Sequence, residues 1–406
     1  MLEFPLIAVS RIDLRRELIL YTRPPLVILY LALLAPAALH LPQPLLPSLT
    51  DLFEIESADT ALLMTATLLP LGLMPIAYGY LLEGVSTRTM LYVSAIGIAI
   101  TQLWMWAMPD YSNWFAARVA LGLLLPALMT AAMTYASATV EKSARPHAMG
   151  LYIAGTIIGG FFGRMMAGWV SESFDLVSPP LVMAFLYLCA IPALHKLPRE
   201  AGAGFARIRW SIAKDIFALP RFRAAYTTTF IVFFIFTAVT TLLPFEMRRI
   251  DPLVTNIELG LLYLGYLVGL IVSLNIRRLK ARFKPETRLV ISGLLMYIIG
   301  TVTLLKDDYL YAVGSLFFFC GGMFLVHTTL TGLLNRSLDH HHGVINGLYL
   351  AFYYTGGALG SHIPSRVYAN SDWESVIFLC SGLIIFTLFL IHELKQEPAL
   401  EDSKEK

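Results

Sequence analysis

Twelve apolar runs, each long enough to cross a lipid bilayer, constrain the fold of this chain more than any other feature of its sequence. A helix that crosses the hydrocarbon core needs about 20 mostly apolar residues, at a rise of about 1.5 Å per residue. We therefore expect an integral membrane protein in which all twelve runs are helices. We place spans 1 to 6 at residues 25–48, 59–82, 88–108, 112–138, 147–171 and 179–197, and spans 7 to 12 at 226–247, 257–277, 287–305, 310–334, 343–367 and 373–394.

The composition excludes a soluble protein of 406 residues, because 57% of the residues are hydrophobic and only 14% are charged. Apart from one polar connection, the loops are short and leave no room for a soluble catalytic domain. We expect a protein that is not an enzyme, with no cofactor, no bound metal and no nucleic-acid partner. A membrane-embedded enzyme is a remote alternative, since no span carries clustered acidic or histidine side chains at helical spacing.

Two stretches of the sequence repeat each other at an offset of 197 residues. Residues 150–163 read GLYIAGTIIGGFFG, and residues 347–360 read GLYLAFYYTGGALG. The tripeptide Leu-Leu-Pro at 45–47 returns at 242–244, with the same offset. Because this offset is close to half the chain, we predict two homologous halves. The predicted fold is all-α, with two pseudo-symmetric six-helix bundles, and transporters built in this way bind their substrate between the halves.

Lys and Arg are concentrated in the connections on one side of the predicted bundle. Of the 30 basic residues, 24 fall on the side of the two chain ends, four on the other side and two inside spans. Cytoplasmic loops carry the excess of basic residues, so we place both termini in the cytosol, below a bacterial-type inner membrane. The predicted organisation is a cytosolic amphipathic segment at 1–24, bundles at 25–197 and 226–394, a cytosolic linker with an interfacial helix at 198–225, and a cytosolic tail at 395–406.

Glycines recur at helical spacing in both copies of the repeat. Gly155, Gly159 and Gly163 share one face of span 5, and Gly356 and Gly360 share one face of span 11. Small residues let membrane helices approach closely, where the hydrophobic gain from association is small. These stripes serve packing alone, or they also form a sliding seam between the two halves.

The connection between spans 2 and 3 resembles a signature of the major facilitator superfamily. Residues 79–88 read GYLLEGVSTR, in which Gly79, Glu83 and Arg88 match the motif, with Glu in place of the usual Asp. Gly84 and two further positions depart from it, because basic residues and a glycine are typical there. The resemblance implies a cytosolic latch in which Glu83 pairs with basic groups and a helix N-terminus.

Spans 4 and 5 carry further resemblance to the same superfamily. Arg118, Gly122 and Pro126 share one face of span 4 and are similar to an Arg-led motif whose arginine is implicated in proton coupling. The glycine-rich face of span 5 resembles that of the twelve-span drug and metabolite efflux branch, although the Gly-Pro pair of that motif is absent. The resemblance implies alternating access with proton-coupled export. Proton-coupled import of an organic acid, sugar derivative or siderophore is the alternative.

Polar side chains inside spans are costly in lipid, so each marks a candidate site. Arg118, Arg164 and His40 fall in the outer half of the predicted membrane, Glu246 at the outer end of span 7, and His327 nearer the middle of span 10. Histidine titrates near neutral pH, which suits a group that carries a proton. The candidates for the substrate and proton pathway are Arg118, Arg164, His40, Gln43, Gln102, Glu246, His327, Tyr353 and Tyr354.

Two of these candidates have more than one possible role. Glu246 is either a proton carrier or the partner of Arg248 or Arg249 in an ion pair at the surface. Arg164, one residue past the glycine stripe, either lines the cavity or forms a structural ion pair with a carboxylate such as Glu246.

The predicted substrate follows from the sign of the buried charge. The bundle interior offers arginine but no carboxylate near its middle, which favours a neutral or anionic substrate such as a metabolite, a drug or a carboxylate-rich siderophore. The copies of the repeat differ where Arg164 is replaced by Ser361 and where residues 156–157 are replaced by Tyr353 and Tyr354, and there we expect the substrate. Protons and lipid are the other expected partners, and the protein is expected to be a monomer.

Overall fold

The structure is a computed structural model that describes residues 26–81, 85–138, 140–141, 144–197, 210–338 and 341–395. Within these residues the chain forms twelve long helical segments in sequence order and no strand. The prediction of an all-α protein with twelve spans is therefore confirmed. The helical segments keep the span numbers given above.

Most spans begin and end within a few residues of their predicted bounds, but span 7 starts at Pro220, well before residue 226. The first half contains span 1 (Leu26–His40, a 3-10 turn at Gln43–Leu45, then Leu46–Phe53), span 2 (Ser57–Leu81), span 3 (Thr87–Ala107), span 4 (Tyr111–Ala138), span 5 (Arg145–Ser173) and span 6 (Ser178–His195). The second half contains span 7 (Pro220–Ile250), span 8 (Asn256–Leu261, Leu262–Gly265 and Tyr266–Arg282), span 9 (Thr287–Val302 and Thr303–Leu305), span 10 (Tyr309–Ser337), span 11 (His342–Asn370) and span 12 (Trp373–Leu394). A short helix, Trp210–Ala218, lies in the connection between the halves.

Span 11 differs from the other spans in polarity. The other eleven are long and apolar enough to cross a membrane within the part of the chain that the structure describes. Span 11 is 29 residues long but richer in Gly, Tyr and polar residues, and it carries the second copy of the repeat. It packs on span 7 of its own half and on span 2 of the other half, and these contacts reduce the polar surface that would otherwise face lipid.

The twelve spans form two bundles of six, joined along two seams. Span 2 packs against span 11, and span 5 packs against span 8. Since each span crosses the bundle once, the start of span 1, the end of span 12 and the linker helix lie on one face, which we call the terminal face. The opposite face, which carries the connections between spans 1 and 2 and between spans 7 and 8, is the distal face.

Several helices begin at a side chain that caps the free N–H groups of the first turn. Ser86 accepts from the backbone N–H of Thr89 at the start of span 3, and Asp372 accepts from that of Ser375 at the start of span 12. The Ser375 donors hold the pKa of Asp372 below its usual range. Such caps stabilise helix ends by about 1 kcal/mol each and fix where these spans start.

The glycine stripes pack within each half. Gly159 lies against the backbone carbonyl of Leu33 in span 1, and Gly360 lies against that of Phe234 in span 7, so that a methyl group at either position would collide with the backbone. The remaining stripe residues, Gly155, Gly163 and Gly356, face the same two partner helices. For these glycines the contacts agree with packing within a half, one of the two interpretations above, and not with a seam between the halves.

The glycines that do face the other half lie off the stripe. Gly160 follows Gly159 by one residue, which turns it by about 100° around the helix, and it contacts the ring of Tyr266 in span 8. Gly168 lies against the backbone of Asn256 at the start of the same span. The seam between spans 5 and 8 thus uses a face of span 5 adjacent to the predicted one.

Candidate functional site

Span 1 is broken near its distal end, and Arg118 covers the break. The first helix stops at His40, because Pro42 has no N–H to bond to the carbonyl of Ala38. The Arg118 side chain replaces the missing donor, since its Nη1 donates to the Ala38 carbonyl at 3.0 Å and its Nη2 to the Leu39 carbonyl at 2.7 Å. Its positive charge also faces the negative end of the helix dipole.

The other contacts of Arg118 tie this break to span 2. Nε donates to the Leu63 carbonyl at 3.1 Å, and the hydroxyl of Thr67 donates to the Arg118 carbonyl at 2.9 Å. The side chain is fully buried, and no carboxylate among the described residues is within ion-pair distance of it. Arg118 is thus bonded to neutral carbonyls, while its role in proton coupling stays a prediction.

The residues at the break in span 1 lie on the pseudo-two-fold axis of the protein. Gln43 donates from Nε2 to the hydroxyls of Thr240 at 3.3 Å and Thr241 at 3.4 Å in span 7. Gln43 and Thr240 are 197 residues apart, which is the offset between the two copies of the repeat. Two equivalent residues can meet only close to the axis that relates the halves. His40, 7% exposed, lies beside them, and its Nδ1 has no hydrogen-bond partner among the described residues.

Arg164 reaches this axis from span 5. Its Nε donates to Gln43 Oε1 at 2.6 Å, its Nη1 to the Gly160 carbonyl at 2.5 Å, and its Nη2 to the Tyr266 hydroxyl of the other half at 2.7 Å. The guanidinium carbon is 4.4 Å from the ring centres of both Tyr263 and Tyr266. Cation–π contacts of this kind help to keep a cation in a desolvated place.

Every contact that the structure gives Arg164 is with a neutral group. The side chain is fully buried, and no carboxylate of the described residues forms an ion pair with it. An ion pair between Arg164 and Glu246, one of the two expected roles, is therefore wrong. The arrangement leaves a positive charge at the axis without a negative partner among the residues that the structure describes.

Glu246 pairs instead with its neighbour in span 7. Its carboxylate accepts from Arg249 at 2.6 and 3.0 Å, and from the hydroxyl of Tyr368 in span 11 at 3.0 Å. The Glu246 side chain is only 1% exposed, whereas that of Arg249 is 54% exposed. Arg249 was one of the two partners expected for Glu246. The ion pair was expected at the surface, but its carboxylate is buried. Tyr368 fixes the carboxylate to span 11 of the same half.

A set of hydrogen bonds and ion pairs joins the halves in the distal part of the bundle. The Thr65 hydroxyl is 2.7 Å from that of Ser361 and also donates to the Ala358 carbonyl at 3.1 Å. Nearer the distal surface, Arg366 pairs with Asp59 at 2.7 Å. Further links join Ser48 to Asn256 and Arg248, Asp51 to Arg248, Glu56 to Arg366, and Glu172 to the backbone of Asn256. We call this set the distal seal.

The remaining interior candidates lie in two separate places. Tyr353 stacks on Phe233, with ring centres 3.6 Å apart, and Tyr354 meets the same ring edge-on. His327 shares a hydrogen bond of 2.8 Å between its Nδ1 and the Tyr349 hydroxyl. Gln102 is fully buried in span 3, and neither atom of its amide has a hydrogen-bond partner in the described parts of the chain. These side chains are thus not part of the Arg164 centre.

The structure describes only part of the predicted cytosolic latch. Arg88 donates to the His195 carbonyl at 2.5 Å, where it caps the end of span 6. Gly79 lies in the last turns of span 2, and Glu83 lies outside the described residues. The pairing expected of Glu83 therefore stays a prediction.

Sequence reasoning missed the partners of Arg164 in the second half. Nothing in the local sequence of Tyr263 or Tyr266 marks them, because their importance comes from the helix that packs against them. Thr240 could have been found, since adding the repeat offset to Gln43 gives it directly.

The comparisons with known proteins agree with this architecture. The family profile described as Major Facilitator Superfamily matches residues 28–361. An uncharacterized transporter of Buchnera aphidicola is 24% identical over 364 residues, which cover 88% of each chain. The inner membrane transport protein YnfM of Escherichia coli is 22% identical and is matched over 87% of this chain and 86% of its own. The crystal structure of the nucleoside transporter NupG superposes with a TM-score of 0.72 at 13% identity, and covers 91% of this chain and 99% of that one.

Proposed function

Because the chain belongs to the Major Facilitator Superfamily, we propose that it is a proton-coupled secondary transporter that exports a small organic anion, with Arg164 as the charge that recognises it. Membership of this family makes the protein a multi-pass membrane transporter. The substrate class, the coupling to protons and the direction are our inferences. A bacterial inner membrane, with both termini in the cytosol, is the proposed location.

The observation that carries the proposal is the buried guanidinium of Arg164. Burying a charge costs several kcal/mol unless a partner of opposite sign compensates it, and no such partner is present among the described residues. Substrates of transporters with two related halves bind at the repeat interface, which is where Arg164 meets Gln43 and Tyr266. A carboxylate that replaces one of these neutral acceptors would gain a charge-assisted, two-pronged hydrogen bond.

The arrangement of contacts between the halves supports alternating access. With the terminal face in the cytosol, the distal seal closes the route to the outside. Substrate would then enter from the cytosol toward Arg164. Rocking of the halves would break the distal seal and release the substrate outward.

A thermal-shift screen of the purified protein tests the substrate class. We expect organic anions, and not organic cations, to raise the melting temperature, since a ligand at 100 times its Kd stabilises by about 2.7 kcal/mol. Arg164→Gln should lose this response, and Arg278→Gln, an exposed arginine on span 8, should keep it. Stabilisation by cations, or an unchanged response of Arg164→Gln, would refute the assignment.

The direction of transport needs a second measurement, because import uses the same fold. Inside-out and right-side-out vesicles with an imposed pH gradient separate the two. If the protein exports the anion in exchange for protons, the anion should accumulate in inside-out vesicles whose lumen is acidic. The glycine-rich face of span 5, which resembles that of exporters, favours this result, and accumulation in right-side-out vesicles driven by an acidic exterior would favour the importer.

A further inference from the structure

Two polar helix faces meet inside the second half, away from Arg164. His327, Thr331 and Asn335 follow one another at intervals of four residues on span 10, so they share one face. Asn346 and Tyr349 share a face of span 11. Polar groups are rare inside spans and mark pathways of ions or substrates. We call these five residues the polar track.

Hydrogen bonds, some of them to backbone carbonyls of the track, link the members of the polar track. Asn335 and Asn346 exchange two amide hydrogen bonds, of 2.9 and 3.0 Å. Asn335 also donates to the Thr331 carbonyl at 2.9 Å, and the Thr331 hydroxyl donates to the His327 carbonyl at 2.8 Å. His327, Thr331, Asn335 and Asn346 are each partly exposed. Eight residues of helix separate His327 from Asn335, so the track rises about 12 Å from the terminal end of span 10 into the bundle.

We propose that His327 is the group that binds and releases the transported proton, and that the polar track connects it with water at the terminal face. This inference rests on the proposed function, because it assigns the coupling proton of that transporter. A hydronium ion in the track gives its proton to the imidazole and becomes water, and the reverse step restores the neutral ring. Imidazole is suited to this exchange because its unperturbed titration lies close to neutral pH.

Tyr349 lets the site accept either protonation state without losing a hydrogen bond. When His327 is neutral, the Tyr349 hydroxyl donates to Nδ1 at 2.8 Å. When Nδ1 carries the proton, it donates to the Tyr349 oxygen, and the hydroxyl hydrogen turns to the His327 carbonyl, which is 3.3 Å away. Both acceptors are already in reach, so neither state leaves Nδ1 or the Tyr349 hydroxyl without a partner.

Among the described residues, no carboxylate forms an ion pair with His327. From span 11 the Tyr349 and Tyr353 rings face it, with ring centres at 5.5 and 4.9 Å. On span 8, the ammonium group of Lys280 lies next to Gly332 of span 10. Glu286 forms an ion pair with Lys280 at 3.5 Å. In spans 7 and 9, the buried hydroxyls of Tyr226 and Tyr297 donate to the carbonyls of Ile345 and Val232.

A row of aromatic rings joins the proton site to the Arg164 centre. Tyr353, beside His327, stacks on Phe233, whose ring centre is 5.8 Å from that of Phe236. Phe236 in turn lies 5.6 Å from Tyr266, the residue that accepts from Arg164. A change of charge at His327 thus has a packed route to the anion site.

Two measurements on the purified full-length protein test the inference without any substrate. In protein labelled with ¹⁵N at histidine, a resonance that is missing from His327→Gln should titrate reversibly between about pH 4 and 9. His392→Gln, changed at the exposed end of span 12, serves as the control for assignment. In a Cys189→Ser background, Thr331→Cys should react with a positively charged methanethiosulfonate, and Leu330→Cys, on the buried face, should not. A His327 resonance that does not titrate, or an unreactive Thr331→Cys, would overturn the proposal.

A transport measurement separates this inference from the proposed function. Proteoliposomes are loaded with the most stabilising organic anion of the thermal-shift screen, and both counterflow and accumulation driven by a pH gradient are recorded. His327→Gln should lose gradient-driven accumulation far more than counterflow, whereas His392→Gln should keep both. Absence of counterflow in the wild type would refute the proposed function. Wild-type accumulation by His327→Gln, with counterflow present, would refute the role of His327 alone.

Discussion

Arg164 and Ser361 hold equivalent positions in the two copies of the repeat, and each side chain crosses to the opposite half of the protein. Arg164 donates to Tyr266 in span 8 at 2.7 Å, and the Ser361 hydroxyl is 2.7 Å from that of Thr65 in span 2. The pseudo-symmetric scaffold therefore places a polar bridge on both seams but a charge on only one. Under the proposed function, this asymmetry is what makes one of the two seams a site for an anion.

Arg118 should matter for stability because of the break in span 1. Arg118→Gln removes the donor to the carbonyls of Ala38 and Leu39 at the end of the first helix, and each buried unpaired group costs about 1–3 kcal/mol. We expect a loss of about 3 kcal/mol or more in the free energy of unfolding, measured by denaturant titration in detergent. Arg278→Gln, on an exposed arginine, should change it by less than about 0.5 kcal/mol. Equal stability of the two variants would contradict the capping role.

The glycine stripe of span 5 predicts a contrast between two glycines. Gly159→Ala forces a methyl group against the Leu33 carbonyl, and overpacking of this kind costs about 1–3 kcal/mol. Gly314→Ala, in span 10, meets open space and should gain up to about 1 kcal/mol from helix propensity. The melting temperatures of the two variants in one detergent compare them directly. If Gly159→Ala melts no lower than the wild type, spans 1 and 5 do not approach as closely as the structure has them.

The pair of Glu246 and Arg249 predicts unequal effects of removing each partner. Arg249→Met leaves the buried carboxylate of Glu246 without its cation, which costs about 3–5 kcal/mol. Glu246→Gln leaves Arg249 beside water, because that side chain is 54% exposed, and should cost about 1 kcal/mol. Denaturant titration of both single variants and the double variant measures the difference. Equal losses would show that Glu246 is accessible to water.

Arg366 in the distal seal predicts a change in conformational equilibrium. Arg366→Gln removes the exposed pair with Asp59 that joins the halves, which contributes about 0.2–1 kcal/mol. The fraction of molecules open at the distal face, measured from distances between spin labels on spans 2 and 11, should rise up to about fivefold. High salt should mimic the variant, since it screens exposed charges. Arg223→Gln breaks an exposed pair inside one half and should leave the distances unchanged.

The number, order and type of the spans could be predicted from the sequence, because the length of each run and its content of apolar residues are local properties. The break in span 1 was not predicted, although Pro42 and Pro44 lie within it. Whether a proline breaks a helix depends on whether another group can replace the lost hydrogen-bond donor. Here that donor is Arg118, from a helix about 80 residues away in sequence.

The candidate site shows the same limit. Arg164 could be chosen from the sequence, since a charge inside a span is rare. Its partner could not, because any carboxylate at a similar depth, such as Glu246, was compatible with the sequence. The choice depends on which helix faces are turned toward each other, and span 5 turns Arg164 toward Gln43 and Tyr266. In the same way the direction of the glycine stripe, toward span 1, depends on packing between helices.

Transport of an organic anion by proteoliposomes that contain Arg164 variants tests the central claim most directly. The anion that most stabilises the wild type is supplied with an imposed pH gradient, and initial rates are compared at equal protein content. We predict that Arg164→Gln loses transport while remaining folded, and that Arg164→Lys, which keeps the charge but not the planar fork, retains a part of it. Transport by Arg164→Gln at the wild-type rate would contradict the account.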